Sequence, residues 1–312
     1  MTERVSDSSL PDPGITAVPS PDQTAPALTV AALIRDPRLL AACAHWLVGS
    51  RCRLVPIAPS PDPLRDLEAC RDDFDALLLE QGLLTPDDCQ ALRDTGPVLP
   101  AVVIGAVSGT TELHSAEVHL PPDQLEQLSY SLDAAVSRFL RHGPGSDAAT
   151  PGATGEASRP ETPERWKLAN RLKDRLGFLG VFYKRDPSRF LRNLPATERE
   201  ELLRSLERTY RDLLLSYFRD PAAANQALES FVNTAFFSDL PITKTVEIHM
   251  NLIDGFSKQL KLEGHKAEFL QDYRLTLLDV MAHLCEMYRR SIPPDAPISM
   301  LPHTTNPEPS LA

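Results

Sequence analysis

Polar side chains recur at helical spacing near the end of the chain. Side chains spaced three and four residues apart lie on one side of a helix. The residues with this spacing are Asp272, Thr276, Asp279, His283, Glu286 and Arg290. Both signs of charge are present, so Asp279 can pair with His283, and Glu286 with Arg290, across one helical turn. The spacing predicts a polar stripe that both donates and accepts hydrogen bonds.

An apolar seam accompanies this stripe at the same period. It consists of Tyr273, Leu277, Val280, Met281, Leu284 and Met287. A polar stripe beside a seam that contains Met and Tyr favours a helix face that binds a peptide. The alternative is a solvated face with incidental ion pairs, each of which stabilises a helix by only about 0.3–0.5 kcal/mol.

A metal site in a helical bundle is a second chemistry that this region allows. The carboxylates and imidazoles that it could use are Glu247, His249, Asp254, Asp279, His283 and Glu286. Di-iron bundles use Glu-x-x-His on two helices. Here the order is reversed, His283-x-x-Glu286, and no Glu-x-x-His occurs anywhere in the chain. We therefore expect no metal and no cofactor.

Three positions in the first half stand where a response-regulator receiver performs phosphotransfer. That chemistry needs an acidic cluster after strand one for Mg²⁺, an Asp at the end of strand three, and a Lys after strand five. Here Asp36 stands alone beside Arg35, Glu80 ends the third run, and Leu120 ends the fifth. The positions predict a receiver-like fold without receiver chemistry. The alternatives are a phosphorelay regulator with an atypical receiver, and a generic doubly wound domain.

Composition and motifs narrow the class of protein further. The chain has 32 Lys and Arg against 43 Asp and Glu, a net charge of −11, which disfavours binding to nucleic acid or an anionic membrane. No apolar run approaches the ~18 residues of a membrane span, and the start lacks a signal-peptide pattern. The sequence contains no GxxxxGK[ST], GxGxxG, GxSxG or CxxC motif. We expect a cytoplasmic protein that is not an enzyme.

The elements that carry these residues fall into two groups. Five apolar runs alternate with helical segments in the first group, at residues 28–34, 52–58, 75–80, 100–107 and 116–120. Continuous apolar runs are typical of strands buried on both faces, so we predict a flavodoxin-like, five-stranded parallel sheet, closed by a helix over residues 124–141.

The second group is entirely helical. Thr197-x-x-Glu200 predicts a capping box, Asp220-Pro221 an N-cap followed by Pro, and Pro241 the start of another helix. The last helix is predicted over residues 266–291. Several amphipathic helices with short connections favour a four-helix bundle. Phe236 and Phe237 are predicted to pack in its core or to close a symmetric dimer interface.

Segments rich in Pro, Ser and Thr separate these groups. We predict a disordered tail over residues 1–27, a receiver-like domain over 28–142, a flexible linker over 143–163, a helical domain over 164–293, and a second tail over 294–312.

Long stretches of the sequence resemble the KaiA family of cyanobacterial circadian clock proteins. They lie at residues 114–141, 177–195, 231–250 and 270–293. The resemblance implies an N-terminal pseudo-receiver and a C-terminal four-helix bundle that forms a homodimer. It also implies three functional expectations: binding of the C-terminal peptide of the clock ATPase KaiC, stimulation of KaiC autophosphorylation, and sequestration by a third protein, KaiB.

The same resemblance assigns the two sets of site residues. The partner-peptide set consists of Asp279, His283, Glu286, Arg290, Arg274 and Met287. The dimer-interface set consists of Phe236, Phe237, Leu277 and Leu284.

Overall fold

The computed structural model describes residues 28–57, 65, 71–95, 99–106, 113–114, 117–141, 163–176, 185–263 and 268–291. The two predicted tails lie outside these ranges, as does the predicted linker apart from its last residue. Their flexibility stays a prediction.

Five parallel strands form the sheet of the first domain. They are β1 (Leu28–Leu33), β2 (Cys52–Pro56), β3 (Ala76–Glu80), β4 (Ala101–Ile104) and β5 (Val118–Leu120). Their order is β2-β1-β3-β4-β5 with every pairing parallel, which is the flavodoxin-like arrangement. The central strands β1 and β4 are buried along their whole length, and β3 is buried up to its last residue, because helices cover both faces of such a sheet. The predicted fold of this domain is confirmed.

Among the described residues, the helices that accompany the sheet include α1 (Pro37–Leu47), α2 (Pro86–Thr95) and α3 (Leu128–Arg141). Asp36 caps α1, because its Oδ1 accepts a hydrogen bond from the Arg38 amide at 2.9 Å. Helix α3 follows a 3₁₀ turn, Leu125–Gln127. It is buried on nearly all sides, since it packs on the sheet domain through β4, β5 and α1 and on the bundle through helix α6, described next.

The second half of the chain is helical, as predicted. Its helices are α4 (Pro163–Leu176), α5 (Ala196–Ser216), α6 (Pro221–Phe237), α7 (Ile242–Leu262) and α8 (Arg274–Ser291). Helices α5 and α6 share the most extensive contact in the molecule. Asp220 caps α6 as predicted, and its Oδ1 accepts from the amides of Ala222 and Ala223, each at 3.1 Å.

Two predicted helix starts are wrong. Helix α5 begins at Ala196 after Pro195 with no side-chain cap, so Thr197 lies inside the first turn and forms no capping box. The last α-helix begins at Arg274, because residues Glu268–Tyr273 form a 3₁₀ turn. In both places the amphipathic pattern continues across the point where the backbone geometry changes. Hydrophobic periodicity therefore does not show at which residue the α-helix begins.

The core of the bundle is built from large aromatic side chains. Phe236 is fully buried, and its ring packs edge-on against Tyr288 with centroids 5.1 Å apart. Phe237 packs against Phe236 at 5.2 Å and is also buried. Both side chains are buried within the single chain, which favours the core reading of this pair. Their assignment to a dimer interface stays a prediction.

Helix α4 packs on the sheet domain. Arg171 Nε donates to the buried Asp75 carboxylate at 3.1 Å, and its terminal nitrogens donate to the backbone carbonyls of Asp72 and Phe74 at 2.5 Å each. One guanidinium thus holds the chain segment that leads into β3.

Candidate partner-binding site

Helix α8 presents three distinct sides. Its inner side packs against α6 and carries Thr276, Val280 and Leu284, all buried. The predicted polar stripe is corrected at Thr276, which lies in the core with an Oγ1 that has no hydrogen-bond partner among the described residues. The stripe therefore occupies the edge between the inner and outer sides, from Asp279 to Arg290.

Asp279 and His283 form a pair at this edge. His283 Nδ1 lies 3.3 Å from Asp279 Oδ1 and 2.9 Å from the Asp279 carbonyl oxygen. Tyr217 of α5 donates its hydroxyl to Asp279 Oδ2 at 3.3 Å. The two contacts hold Asp279 between two helices, and half of the His283 side chain (51 %) remains exposed to a partner.

Glu286 is the most strongly bound carboxylate of the stripe. Its oxygens accept from Arg289 Nε at 2.8 Å, from an Arg289 terminal nitrogen at 2.6 Å and from Arg290 Nε at 2.5 Å. These hydrogen bonds, with that from Arg289 the largest contribution, lower the pKa of Glu286 to about 2. The carboxylate is therefore ionised at neutral pH, and it orients both guanidinium groups.

The outer side of α8 carries exposed apolar side chains in its first turns and the exposed Arg289 near its end, which the sequence did not reveal. Leu275 is 54 % exposed and Leu278 is 64 % exposed. Ala282 and Cys285 continue this side at helical spacing. Two exposed leucines thus lie beside the charged stripe.

A second exposed apolar row lies on α7. It consists of Ile242, Val246 and Met250, spaced four residues apart. Met250 is the most exposed of the three at 58 %. Helices α7 and α8 thus both carry apolar side chains that the described part of the chain leaves exposed.

The remaining predicted site residues divide by burial. Arg274 is exposed, whereas Arg290, Met287 and Leu277 are half-buried. Leu284 is 2 % exposed and packs in the core of the single chain. Its assignment to a dimer interface stays a prediction, like that of Phe236 and Phe237. The helical period located these residues correctly along α8, but the side that faces the core is set by tertiary packing with α6.

At the receiver positions, Glu80 binds backbone. Its Oε2 accepts hydrogen bonds from the amides of Arg35 at 2.6 Å and Asp36 at 3.2 Å. The next residue, Gln81, accepts from the Ala106 amide at 2.7 Å through Oε1. The side chains of Glu80 and Gln81, at the end of β3, thus form hydrogen bonds with the backbone that follows β1 and β4. This is the edge of the sheet where a receiver binds Mg²⁺ and phosphate. Leu120 is fully buried at the end of β5.

The rival metal site does not assemble in the part of the chain that the structure describes. No group of three or more His, Cys, Asp and Glu side chains there could hold an ion. His249 is buried, and its Nδ1 lies 3.1 Å from the Tyr210 hydroxyl, so this imidazole takes part in the core of the bundle. Among the described helices none has the length and apolarity to cross a membrane.

A receiver-like sheet domain whose acceptor position binds backbone, followed by a helical domain, defines a regulatory protein of the pseudo-receiver type. Two family profiles cover the chain: the N-terminal domain of circadian clock protein KaiA matches residues 28–144, and the KaiA C-terminal domain matches residues 174–295. The chain belongs to the KaiA family of circadian clock proteins.

Individual relatives agree with these profiles. The circadian clock oscillator protein KaiA of Parasynechococcus marenigrum is 56 % identical over 282 residues, covering 88 % of this chain and 93 % of that protein. The KaiA of Synechococcus elongatus is 44 % identical over 273 residues, covering 83 % and 95 %. A crystal structure of the C-terminal domain of Thermosynechococcus elongatus BP-1 KaiA is 53 % identical, covers 32 % of this chain and 93 % of that one, and superposes with a TM-score of 0.29.

Proposed function

We propose that this chain acts as a homodimeric, non-enzymatic activator of the clock ATPase KaiC in the cytoplasm. It binds the C-terminal peptide of KaiC along α8, raises KaiC autophosphorylation, and is sequestered by KaiB later in the cycle. Membership of the KaiA family supports the clock role, because every curated relative named above is a clock oscillator protein.

The observation that carries the binding proposal is the edge of α8. There the Asp279–His283 pair and the Glu286–Arg290 pair lie beside Leu275 and Leu278, which the single chain leaves exposed. The two polar pairs supply groups that bind the backbone and charges of an extended peptide, and the exposed leucines supply an apolar surface that a second copy of the chain buries.

The mechanism follows from two copies of this surface. In the proposed dimer the outer sides of the two α8 helices approach each other, and their leucines are buried between the copies. The two polar stripes then border one groove, and each orients an extended KaiC peptide. Holding that segment away from the KaiC hexamer is the proposed route to stimulation, and it needs no chemical step on this chain.

Binding is tested by titrating a fluorescently labelled KaiC C-terminal peptide with the full-length chain and following anisotropy. We expect His283→Ala to weaken affinity about tenfold, which corresponds to about 1.4 kcal/mol, because an exposed imidazole at the stripe is lost. Helicity and dimerisation should not change.

His45→Ala is the matched control, since His45 is exposed on α1 in the sheet domain, far along the chain from α8. Equal affinities of the wild-type and His283→Ala chains would remove His283 from the site.

A further inference from the structure

Three side chains from α5 and α8 form a connected set of hydrogen bonds at the edge of α8. The hydroxyl of Tyr217, at the end of α5, donates to Asp279 Oδ2 at 3.3 Å. The other oxygen of that carboxylate, Oδ1, lies 3.3 Å from His283 Nδ1. The carbonyl oxygen of Asp279 lies 2.9 Å from the same nitrogen. We call Tyr217, Asp279 and His283 the positioning triad.

These contacts determine which nitrogen of His283 carries the proton. Both oxygens that lie near Nδ1 are acceptors, since a backbone carbonyl and an ionised carboxylate have no hydrogen to donate. Nδ1 is therefore the donor, and in a neutral imidazole a proton on Nδ1 leaves Nε2 with a free lone pair. Nε2 is the ring nitrogen farther from the backbone, and half of the side chain is exposed. An acceptor nitrogen is thus available to a partner.

Tyr217 orients the carboxylate of Asp279. Burial raises the pKa of Tyr217 above its usual value near 10, and the negative charge of Asp279 and the hydrogen bond to it raise this pKa further. The hydroxyl therefore keeps its proton at neutral pH and donates it to Oδ2, which leaves Oδ1 for His283. The ring of Tyr217 has a contact of its own, because Phe218 packs edge-on against it with centroids 5.0 Å apart.

We infer that Tyr217 is a positioning residue: through Asp279 it holds neutral His283 with its proton on Nδ1, so that Nε2 accepts a hydrogen bond from a backbone N–H of an extended peptide. The identity of that peptide rests on the proposed function, whereas the position of the proton does not.

A backbone N–H is the donor that suits this nitrogen. An extended segment outside a sheet has backbone N–H groups without an intramolecular partner. Charged donors such as Lys side chains pair more strongly with carboxylates than with a neutral imidazole. The opposite arrangement, with the proton of His283 on Nε2, would offer a donor and select a carbonyl group of the partner instead.

Nuclear magnetic resonance of the free protein tests the position of the proton. In the full-length chain labelled with ¹⁵N at histidine, a long-range proton–nitrogen correlation spectrum distinguishes a protonated ring nitrogen from an unprotonated one. The His283→Ala spectrum identifies the signals of His283 among those of the 8 histidines. At a pH where the same spectra show a neutral imidazole, we expect a protonated Nδ1 and an unprotonated Nε2. The reverse pattern would overturn the inference.

The role of Tyr217 is tested with Tyr217→Phe, which removes the hydroxyl and keeps the ring that contacts Phe218. We expect both tautomers of His283 to be populated in this variant and the peptide affinity to fall about fivefold. Tyr130→Phe is the matched control and should change neither, because the Tyr130 hydroxyl on α3 donates to the Arg189 carbonyl oxygen at 2.8 Å. A residue that only stabilised the fold would not move the tautomer, so an unchanged tautomer in Tyr217→Phe would overturn its role.

The recognised group is tested with copies of the KaiC C-terminal peptide that are each N-methylated at one backbone amide. Methylation at one position should weaken binding to the wild-type chain about fivefold and have no further effect on binding to His283→Ala. An equal loss in both chains at every position would overturn the recognition of a backbone N–H. A peptide that does not bind the wild-type chain at all would contradict the proposed function instead, and the spectra of the free protein would still decide the role of Tyr217.

Discussion

At the scale of single residues, the carboxylate of Glu80 has a structural role. It binds the amides of Arg35 and Asp36, where a receiver would hold Mg²⁺ with a cluster of free carboxylates. The contact fixes the turn between β1 and α1 and leaves the carboxylate engaged.

We therefore predict that Glu80→Ala lowers the free energy of unfolding of the sheet domain by about 1–2 kcal/mol, since two charge-assisted hydrogen bonds are lost. Urea unfolding monitored by circular dichroism measures it, with the exposed Glu207→Ala on α5 as control. Incubation of the wild-type chain with acetyl phosphate should leave no phosphate on Glu80 or Asp36. A stable phosphoryl group at either residue would favour the phosphorelay alternative.

His249 makes the stability of the bundle depend on pH. Burial lowers the pKa of His249 below its usual value near 6.5, so the folded state favours the neutral imidazole beside Tyr210. Below that usual value the unfolded chain binds a proton that the folded chain does not, and stability falls as the pH decreases.

We predict that His249→Gln flattens the dependence of the unfolding free energy on pH between about 7.5 and 5.5, by at most about 1.4 kcal/mol per pH unit. Chemical denaturation at several pH values measures the slope. An unchanged slope would show that another group accounts for the loss at low pH.

At the scale of elements, the outer side of α8 is the surface on which the dimer proposal depends. Leu278 is well exposed there, so burial against a second copy would stabilise association by about 1.5–3 kcal/mol. A charge in its place would have to be desolvated in the interface.

Leu278→Glu is accordingly predicted to weaken the dimer by at least tenfold, measured by sedimentation at several concentrations. Leu262→Glu is the matched control, because Leu262 is 84 % exposed at the end of α7 and, at about 100° per residue, lies opposite the row of Ile242, Val246 and Met250. A Leu278→Glu chain that remains as dimeric as the wild type would place the interface elsewhere.

Sequence patterns predicted some features of these elements and missed others. Continuous apolar runs predicted the parallel sheet, because strands buried on both faces carry no alternation. The helical period predicted α8 and its stripe, but it placed Thr276 on the polar side and missed Leu275 and Leu278. Periodicity fixes which residues share a side, whereas the side that is buried depends on where α6 packs.

For a related reason, the sequence did not show whether the aromatic pair Phe236 and Phe237 packs in the core or in an interface. Phe236 and Phe237 are equally apolar in a core and in an interface, so their type does not separate the two, whereas the contacts of Phe236 with Tyr288 and with Phe237 favour the core. The hydrogen bond from Thr234 Oγ1 to the Gln127 amide oxygen, at 2.8 Å, had no sequence signal, since the two residues come from different domains.

At the scale of the whole molecule, the two domains differ in the surfaces that they offer to other molecules. In the sheet domain, Glu80 and Gln81 form hydrogen bonds with the backbone at the acceptor edge, and this domain shares a continuous hydrophobic core with the bundle. The bundle presents charged and apolar side chains on α8 that the described residues leave exposed. In the proposed function the bundle therefore binds the partner.

The most direct test of the central claim is a phosphorylation assay with purified KaiC hexamer. The full-length chain should raise the phosphorylated fraction of KaiC above its basal level at substoichiometric to equimolar concentrations. His283→Ala should require about tenfold more protein for the same effect, as its weaker peptide affinity predicts, whereas His45→Ala should match the wild type. A folded, dimeric wild-type chain that leaves KaiC phosphorylation at its basal level would contradict the account.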